Sequence, residues 1–215
     1  MKIKFLGHAA FLITSDTGLK IITDPYATEP GLTYGEINES ADIVTVSHGH
    51  HDHNNVAAVK GNPEAVSRAG RSIVKGIELK GIASYHDDVG GRRAGNNLMF
   101  CFELDGVTVC HLGDLGHRLD DRQVKEIGRV DILLLPVGGN YTIDAKVATG
   151  VCNQLKPRVI IPMHYKTEKG IPGISGVEGF LSGKANVSRP DSSEVEFKAG
   201  KLPAAGQIIV LKPAL

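Results

Sequence analysis

The sequence predicts an α/β protein in which two β-sheets pack face to face with helices covering them. Three observations carry this. Each half of the chain runs short β-like segments first and helical segments later. Two runs, "DILLLPV" and "RVIIPM", are apolar throughout, as strands covered on both faces are. The 215 residues, 41% of them apolar, can build one large layered unit, and no Pro-, Ser- or charge-rich linker divides them. Residues 1–215 are therefore read as one domain.

In chain order, "KIKFL", "AFLIT", "KIITD" and "DIVTVS" are strand-like runs separated by Gly, Asp and Ser. "NNVAAVK" reads as a short helix, and "SIVK" and "IELKGIASYH" return to strand. "GGRRAGNN" is a loop by composition. "LMFCFEL" and "VTVCHL" form a hairpin across Asp105-Gly106, a strong two-residue turn signal. "DDRQVKEIG" is a helix with an acidic first turn and a glycine stop, and "DAKVATGVCNQLK" is a helix ended by Pro157. "GISGVEGFLSGKANVSRP" reads as a surface segment with one helical turn, and "EVEFK" and "QIIVL" as a closing hairpin.

Composition excludes several classes. Lys plus Arg and Asp plus Glu balance at 24 each, so no bulk attraction to nucleic acid or an anionic membrane is expected. The lack of Trp argues against a base-stacking surface. Cys101, Cys110 and Cys152 are odd in number and form no C-x-x-C, which points to buried thiols in a reducing cytoplasm. "MKIKFLGHAAFLIT" reads as two strands and a turn rather than a signal peptide, because Gly7 and His8 break the apolar run. No run approaches the roughly 18 apolar residues of a membrane span.

The chemistry concentrates in "SHGHHDHNN". His48, His50, Asp52 and His53 follow an H-x-H-x-D-H pattern at the end of a buried strand. In extended backbone, residues i and i+2 point the same way, so His48 and His50 can grip one ion. Asp52 and His53, after a turn, can face a second. Imidazole and carboxylate suit zinc, iron or manganese. Asp114, His164 and His86 also follow strand-like runs and are the candidates to complete the site. His111 competes with His86, but it lies inside a strand and is expected to pack or hydrogen-bond.

The series "HGHHDH", His86, "GDLG" and "PMHY" resembles the metallo-β-lactamase superfamily over essentially the whole chain. "GHAAFLI", "IITDP", "PVGGNYTID" and "IPMHYKT" are similar to segments of small metal-dependent hydrolases in its ascorbate-6-phosphate lactonase-like branch. The resemblance implies a four-layer αββα sandwich of two mixed sheets. It also implies His48, His50 and His86 on one ion, Asp52, His53 and His164 on a second, Asp114 as bridge, and Asp24 as support behind the histidine loop. Asp52 and Asp114 would be the catalytic carboxylates.

Two divalent ions less two carboxylates leave about two positive charges, which favours a bridging hydroxide and an anionic substrate or intermediate. The expected activity is hydrolysis of a small ester, lactone or phosphoester by two ions, Zn2+ first and Mn2+ or Fe as alternatives. His8, Tyr141, Tyr165 and Lys166 are candidates for substrate contact. His117, Arg92, Arg93 and Asn97 are further ones, and His51 is expected not to ligate. An iron-dependent, dioxygenase-like oxidoreductase and a metallo-nuclease or phosphodiesterase are the competing readings. The expected partner is a small molecule, with neither nucleic acid nor membrane, and a homo-oligomer is compatible with the chain.

Overall fold

A computed structural model describes residues 1–204 and 206–215. The chain begins with strands β1 (Lys2–Gly7), β2 (Ala10–Thr14), β3 (Lys20–Thr23), β4 (Ile43–Thr45) and β5 (Glu64–Val66). Strands β6 (Gly70–Val74), β7 (Ile77–Tyr85), β8 (Asn96–Leu104) and β9 (Val107–His111) follow. Helix α1 (Asp121–Ile127), strand β10 (Ile132–Pro136), helix α2 (Ala145–Leu155) and strand β11 (Val159–Met163) come next. The chain ends with the single turn α3 (Glu178–Leu181) and short strands β12 (Val187–Ser188), β13 (Glu194–Glu196) and β14 (Gln207–Ile209).

These make two mixed sheets, as expected. The first has the order β13-β1-β2-β3-β4-β5, and the second β12-β14-β11-β10-β9-β8-β7-β6. Strand alternation sorts the side chains into layers. Ile3, Phe5, Phe11, Ile13 and Ile21 point from the first sheet into the space between the sheets. There they meet Phe100, Val109, Ile132, Leu134, Val159 and Ile161 of the second. The alternate residues Leu133, Leu135 and Ile160 face outward onto Ile127 of α1, Ala148, Val151 and Leu155 of α2, and Phe180 of α3. Strands with both faces buried need apolar residues at every position, which is why β10 and β11 read as unbroken apolar runs.

The first sheet carries a thinner cover. Leu12, Ile22 and Val44 pack beneath Tyr26, Leu32, Tyr34 and Ile37, from an irregular segment, and beside Val56 and Ala58 of one 3₁₀ turn. "NNVAAVK" thus supplies a single turn, Val56–Ala58, where a short helix was expected. The helices of the second half match their signals. Asp120 caps α1 in a capping box with Gln123, and Gly128 ends it. Asp144 caps α2, and Lys156 closes it in left-handed conformation before Pro157. Asp105 and Gly106 both have positive φ, 52° and 73°, as a two-residue hairpin turn requires.

The closing hairpin does not form. β13 pairs with β1 in the first sheet, and β14 pairs with β11 and β12 in the second. The intervening segment is longer than a hairpin turn, and its local turn, Lys201 N–H to Lys198 O at 3.0 Å, does not bring the two runs together. β13 instead covers the β1 edge of the first sheet, and β14 lies between β11 and the edge strand β12 of the second. Cys101 and Cys110 face each other across β8 and β9 as buried thiols, and Cys152 is also a free thiol. No described helix is long and apolar enough to cross a membrane.

Replacing Leu134, fully buried between the sheets, by Ala should cost about 2–5 kcal/mol in urea unfolding. Ile73→Ala on the 76% exposed side chain of β6 should stay within about 0.5 kcal/mol. Equal losses would contradict this layering.

Candidate metal centre

β1 and β3 run the same way, as do β3 and β4, so their C-terminal ends share one edge of the first sheet. β7, β9, β10 and β11 likewise share an edge of the second. The two edges meet. His164 N–H donates to His8 O at 2.9 Å, and Leu98 N–H donates to Ser47 O at 2.9 Å, joining the sheets by main chain. Every candidate ligand sits on this seam. His8 lies in the β1–β2 turn, Asp24 after β3, residues 48–53 after β4, His86 after β7, Asp114 after β9, and His164 after β11.

Two sets of side chains converge. His48, His50 and His86 offer donor atoms within 4.8 Å of one another, as do His8, Asp52, His53 and His164. His48 Nε2 lies 3.1 Å from His50 Nδ1. This convergence does not come from pleated extended backbone. Residues 47–53 form bends and a turn, closed by His53 N–H to His50 O at 3.0 Å. Asp114 stands between the sets. Its Oδ2 is 3.2 Å from the Nε2 atoms of His53 and His86 and 3.3 Å from that of His164. Its Oδ1 is buried and has no hydrogen-bond partner among the described residues.

Asp24 belongs to the third convergent set, with His48 and His53, but its oxygens are already committed. Oδ1 accepts from Ser47 N–H at 2.8 Å, and Oδ2 accepts from Ser47 Oγ–H and, at 2.9 Å, from His53 Nδ1–H. With its proton given to Asp24, Ser47 Oγ accepts from His48 Nδ1–H at 2.9 Å. One carboxylate thus fixes the Nδ1 side of two imidazoles and leaves the Nε2 atoms of His48 and His53 facing the seam.

Other contacts aim Asp114. Asn97, buried in β8, accepts from Asp114 N–H at 2.9 Å and donates to Ser84 Oγ and Leu112 O. Gly113, at φ 53°, permits this approach: a Cβ there would stand 2.4 Å from Asn97 Oδ1 and 2.5 Å from Ser47 Cβ. His111 spends both nitrogens on main chain, lying 2.9 Å from Ala9 O and accepting from Gly113 N–H at 3.2 Å. It packs inside the strand, apart from both convergent sets. Asn97 carried only a weak signal in sequence, and Ser47 carried none beyond preceding the histidines.

The electrostatics favour cations here. Burial pushes His8 down to about 4 and His48 to about 3, so both are neutral lone-pair donors. Burial also pushes His53 down, but Asp114 and Asp24 outweigh it and hold the imidazole well above its usual value. Burial would raise Asp114, yet His164 and His53 hold it well below the usual carboxylate range. A buried carboxylate ringed by imidazole nitrogens in two sets fits metal binding.

The remaining candidates divide. Tyr141 is 51% exposed and lines a cleft of about 550 Å³ beside His86, with Arg93 and Arg118. A second cleft of about 500 Å³ opens beside His48 and His50. Tyr165 is not at the seam surface: it is buried in the layer under the helices, its hydroxyl 3.5 Å from Leu211 O. Lys166 is exposed and lines neither cleft. His117 accepts from Tyr85 N–H and lies 2.8 Å from Arg118 O, so main chain occupies both its nitrogens. Arg93 pairs with Asp88 at 3.5 Å, Arg92 is exposed, and His51 is exposed and outside the convergent sets.

Comparison with known proteins finds metal-dependent hydrolases of similar sequence and fold. A sequence model of the β-lactamase superfamily domain matches residues 2–164. A UPF0173 metal-dependent hydrolase of Carboxydothermus hydrogenoformans is 34% identical over 200 residues, covering 78% of this chain and 85% of that protein. A solved Thermotoga maritima structure, assigned as a Zn-dependent hydrolase of the metallo-β-lactamase superfamily, superposes with a TM-score of 0.81 at 40% identity. That match covers 98% of this chain and 97% of the other. A metallo hydrolase of Ignicoccus hospitalis matches at 25% identity and a TM-score of 0.59, over 77% of this chain and 82% of its own.

The loop between the clefts depends on Asp87. Burial pushes this carboxyl up, but N–H donors of Val89, Gly91, Arg93 and Ala94 outweigh it and hold it below the usual range. Asp87→Asn should lower the thermal midpoint at pH 7. Because the folded-state carboxyl is depressed, its stabilisation is full above the unfolded value of about 3.9 and fades at lower pH. The gap between parent and variant should therefore narrow between about pH 4 and pH 2; a gap constant with pH would refute this account.

Proposed function

This chain belongs to the metallo-β-lactamase superfamily as a metal-dependent hydrolase, and from that premise we propose a dinuclear centre acting on a small ester, lactone or phosphoester. His48, His50 and His86 hold one ion; Asp52, His53 and His164 hold the other; Asp114 is shared. Zinc suits these donors best, with Mn2+ and Fe as alternatives. The observation that carries the reading is Asp114 Oδ2, 3.2 Å from His86 Nε2 of one set and from His53 Nε2 of the other.

When bound, such ions lower the pKa of a coordinated water toward about 7 and polarise a carbonyl or phosphoryl oxygen. The protein's own groups do the rest. Asp24, through Ser47 and His53, keeps Nε2 atoms aimed inward. Asn97 holds the Asp114 main chain in place. Asp52, with a side chain 17% exposed against 2% for Asp114, is the carboxylate placed to orient an attacking water or take its proton. The clefts beside His48, His50 and His86 admit substrate. The residual positive charge favours an anionic one, and Tyr141 and Arg118 stand on the wall it would meet.

Metal analysis of the purified protein should give two ions per chain, with turnover in a screen of lactones, phosphodiesters and acyl esters. Redox-active iron with no hydrolysis would favour an oxygenase on the same donors. Asp114→Ala and His86→Ala should each lose at least one ion and nearly all turnover. His111→Ala should retain both. Asp24→Asn should lower metal affinity by about 10- to 100-fold while folding. Full metal content in Asp114→Ala would end the dinuclear reading.

A further inference from the structure

We propose that His8 is a further protein donor to the second ion, so that this ion is enclosed by the protein and exchangeable positions lie on the side of the first. The inference rests on the dinuclear reading above. His8 Nε2 is 3.1 Å from Asp52 Oδ2 and 3.1 Å from His53 Nε2. Its ring centroid is 4.3 Å from that of His164. Two donors each about 2.1 Å from a common ion, at angles of about 90–120°, stand about 3.0–3.6 Å apart. The His53–Asp114 and His164–Asp114 separations, 3.2 and 3.3 Å, fall in the same range. His8 therefore stands toward this set as its accepted members stand toward one another.

The ring orientation agrees. Asp24 accepts from His53 Nδ1–H, so Nε2 is the atom His53 turns to a cation. His8 Nε2 and His53 Nε2, 3.1 Å apart, and Asp52 Oδ2, 3.1 Å from His8 Nε2, can all direct lone pairs at one shared cation.

The backbone is also committed to this placement. His8 has φ 55° and His164 has φ 49°, left-handed values that non-glycine residues adopt only at a cost. The main-chain bond from His164 N–H to His8 O locks the two together. Access is uneven. His8, His53 and His164 are 2%, 0% and 1% exposed and only Asp52 of their set is partly exposed, whereas His50 is exposed and both clefts open on residues of the first set.

The test uses the full chain, stripped of metal and titrated with Zn2+ alone, then with Co2+. Asn tolerates left-handed backbone, so His8→Asn should fold; far-ultraviolet circular dichroism and the thermal midpoint check this. The parent should bind two Zn2+ per chain. His8→Asn should keep one at parental affinity and bind the other at least about ten-fold more weakly. The visible Co2+ bands of the second equivalent should change shape, because a donor is lost. Parental affinity for both ions in a folded His8→Asn would overturn the proposal. So would weaker binding with parental Co2+ bands, since His8 would then act only by hydrogen-bonding Asp52. A parent that binds a single ion would instead defeat the dinuclear reading, whatever His8 does.

Discussion

The seam depends on one carboxylate removed from water. Asp24 is fully buried, a state that an ionised group holds only when its lone pairs are used. Ser47 N–H, Ser47 O–H and His53 Nδ1–H use them, and the Ser47 hydroxyl carries the arrangement on to His48. The histidine loop is otherwise a run of bends with little regular structure to position it. Its shape is set by this contact and by the Leu98 N–H bond to Ser47 O from the other sheet. Burial of charge and orientation of imidazoles are thus one arrangement: the groups that make Asp24 tolerable are those it directs.

Much of this was legible in the sequence, for a physical reason. β10 and β11 must be apolar on both faces, so "ILLL" and "VIIPM" announce themselves. Asp105-Gly106, Asp120 and Asp144 satisfy local rules of turn and cap, and local rules need no tertiary context. The short strands β5, β12, β13 and β14 have two or three residues each, too few for a pattern, and are placed by the strands they pair with. The paired runs near the C-terminus looked like a hairpin because proximity in sequence was the only information available.

The site was legible in kind and less so in arrangement. Histidines and aspartates after strand-like runs are visible as letters. That Asn97 holds Asp114 by its amide, that Tyr165 turns under the helices, and that the loop at 48–53 converges by bending are properties of folded distances. His8 shows the boundary well. Its turn between two strands was readable, but only the closure of the sheets brings it to 3.1 Å from Asp52 and His53.

The seam's donors come from turns and strand ends scattered from residue 8 to residue 164, on both sheets. Contacts so distant in sequence form late, because loop-closure entropy must be met before they contribute. The newly made chain therefore has no assembled cage to offer an ion. Metal acquisition would then follow folding, and ions held as proposed would clasp the two sheets together from the side. On that reading, ion supply would set longevity as well as catalysis. A chain short of metal has the same layers but a looser seam, and local opening there exposes it to proteolysis before global unfolding does.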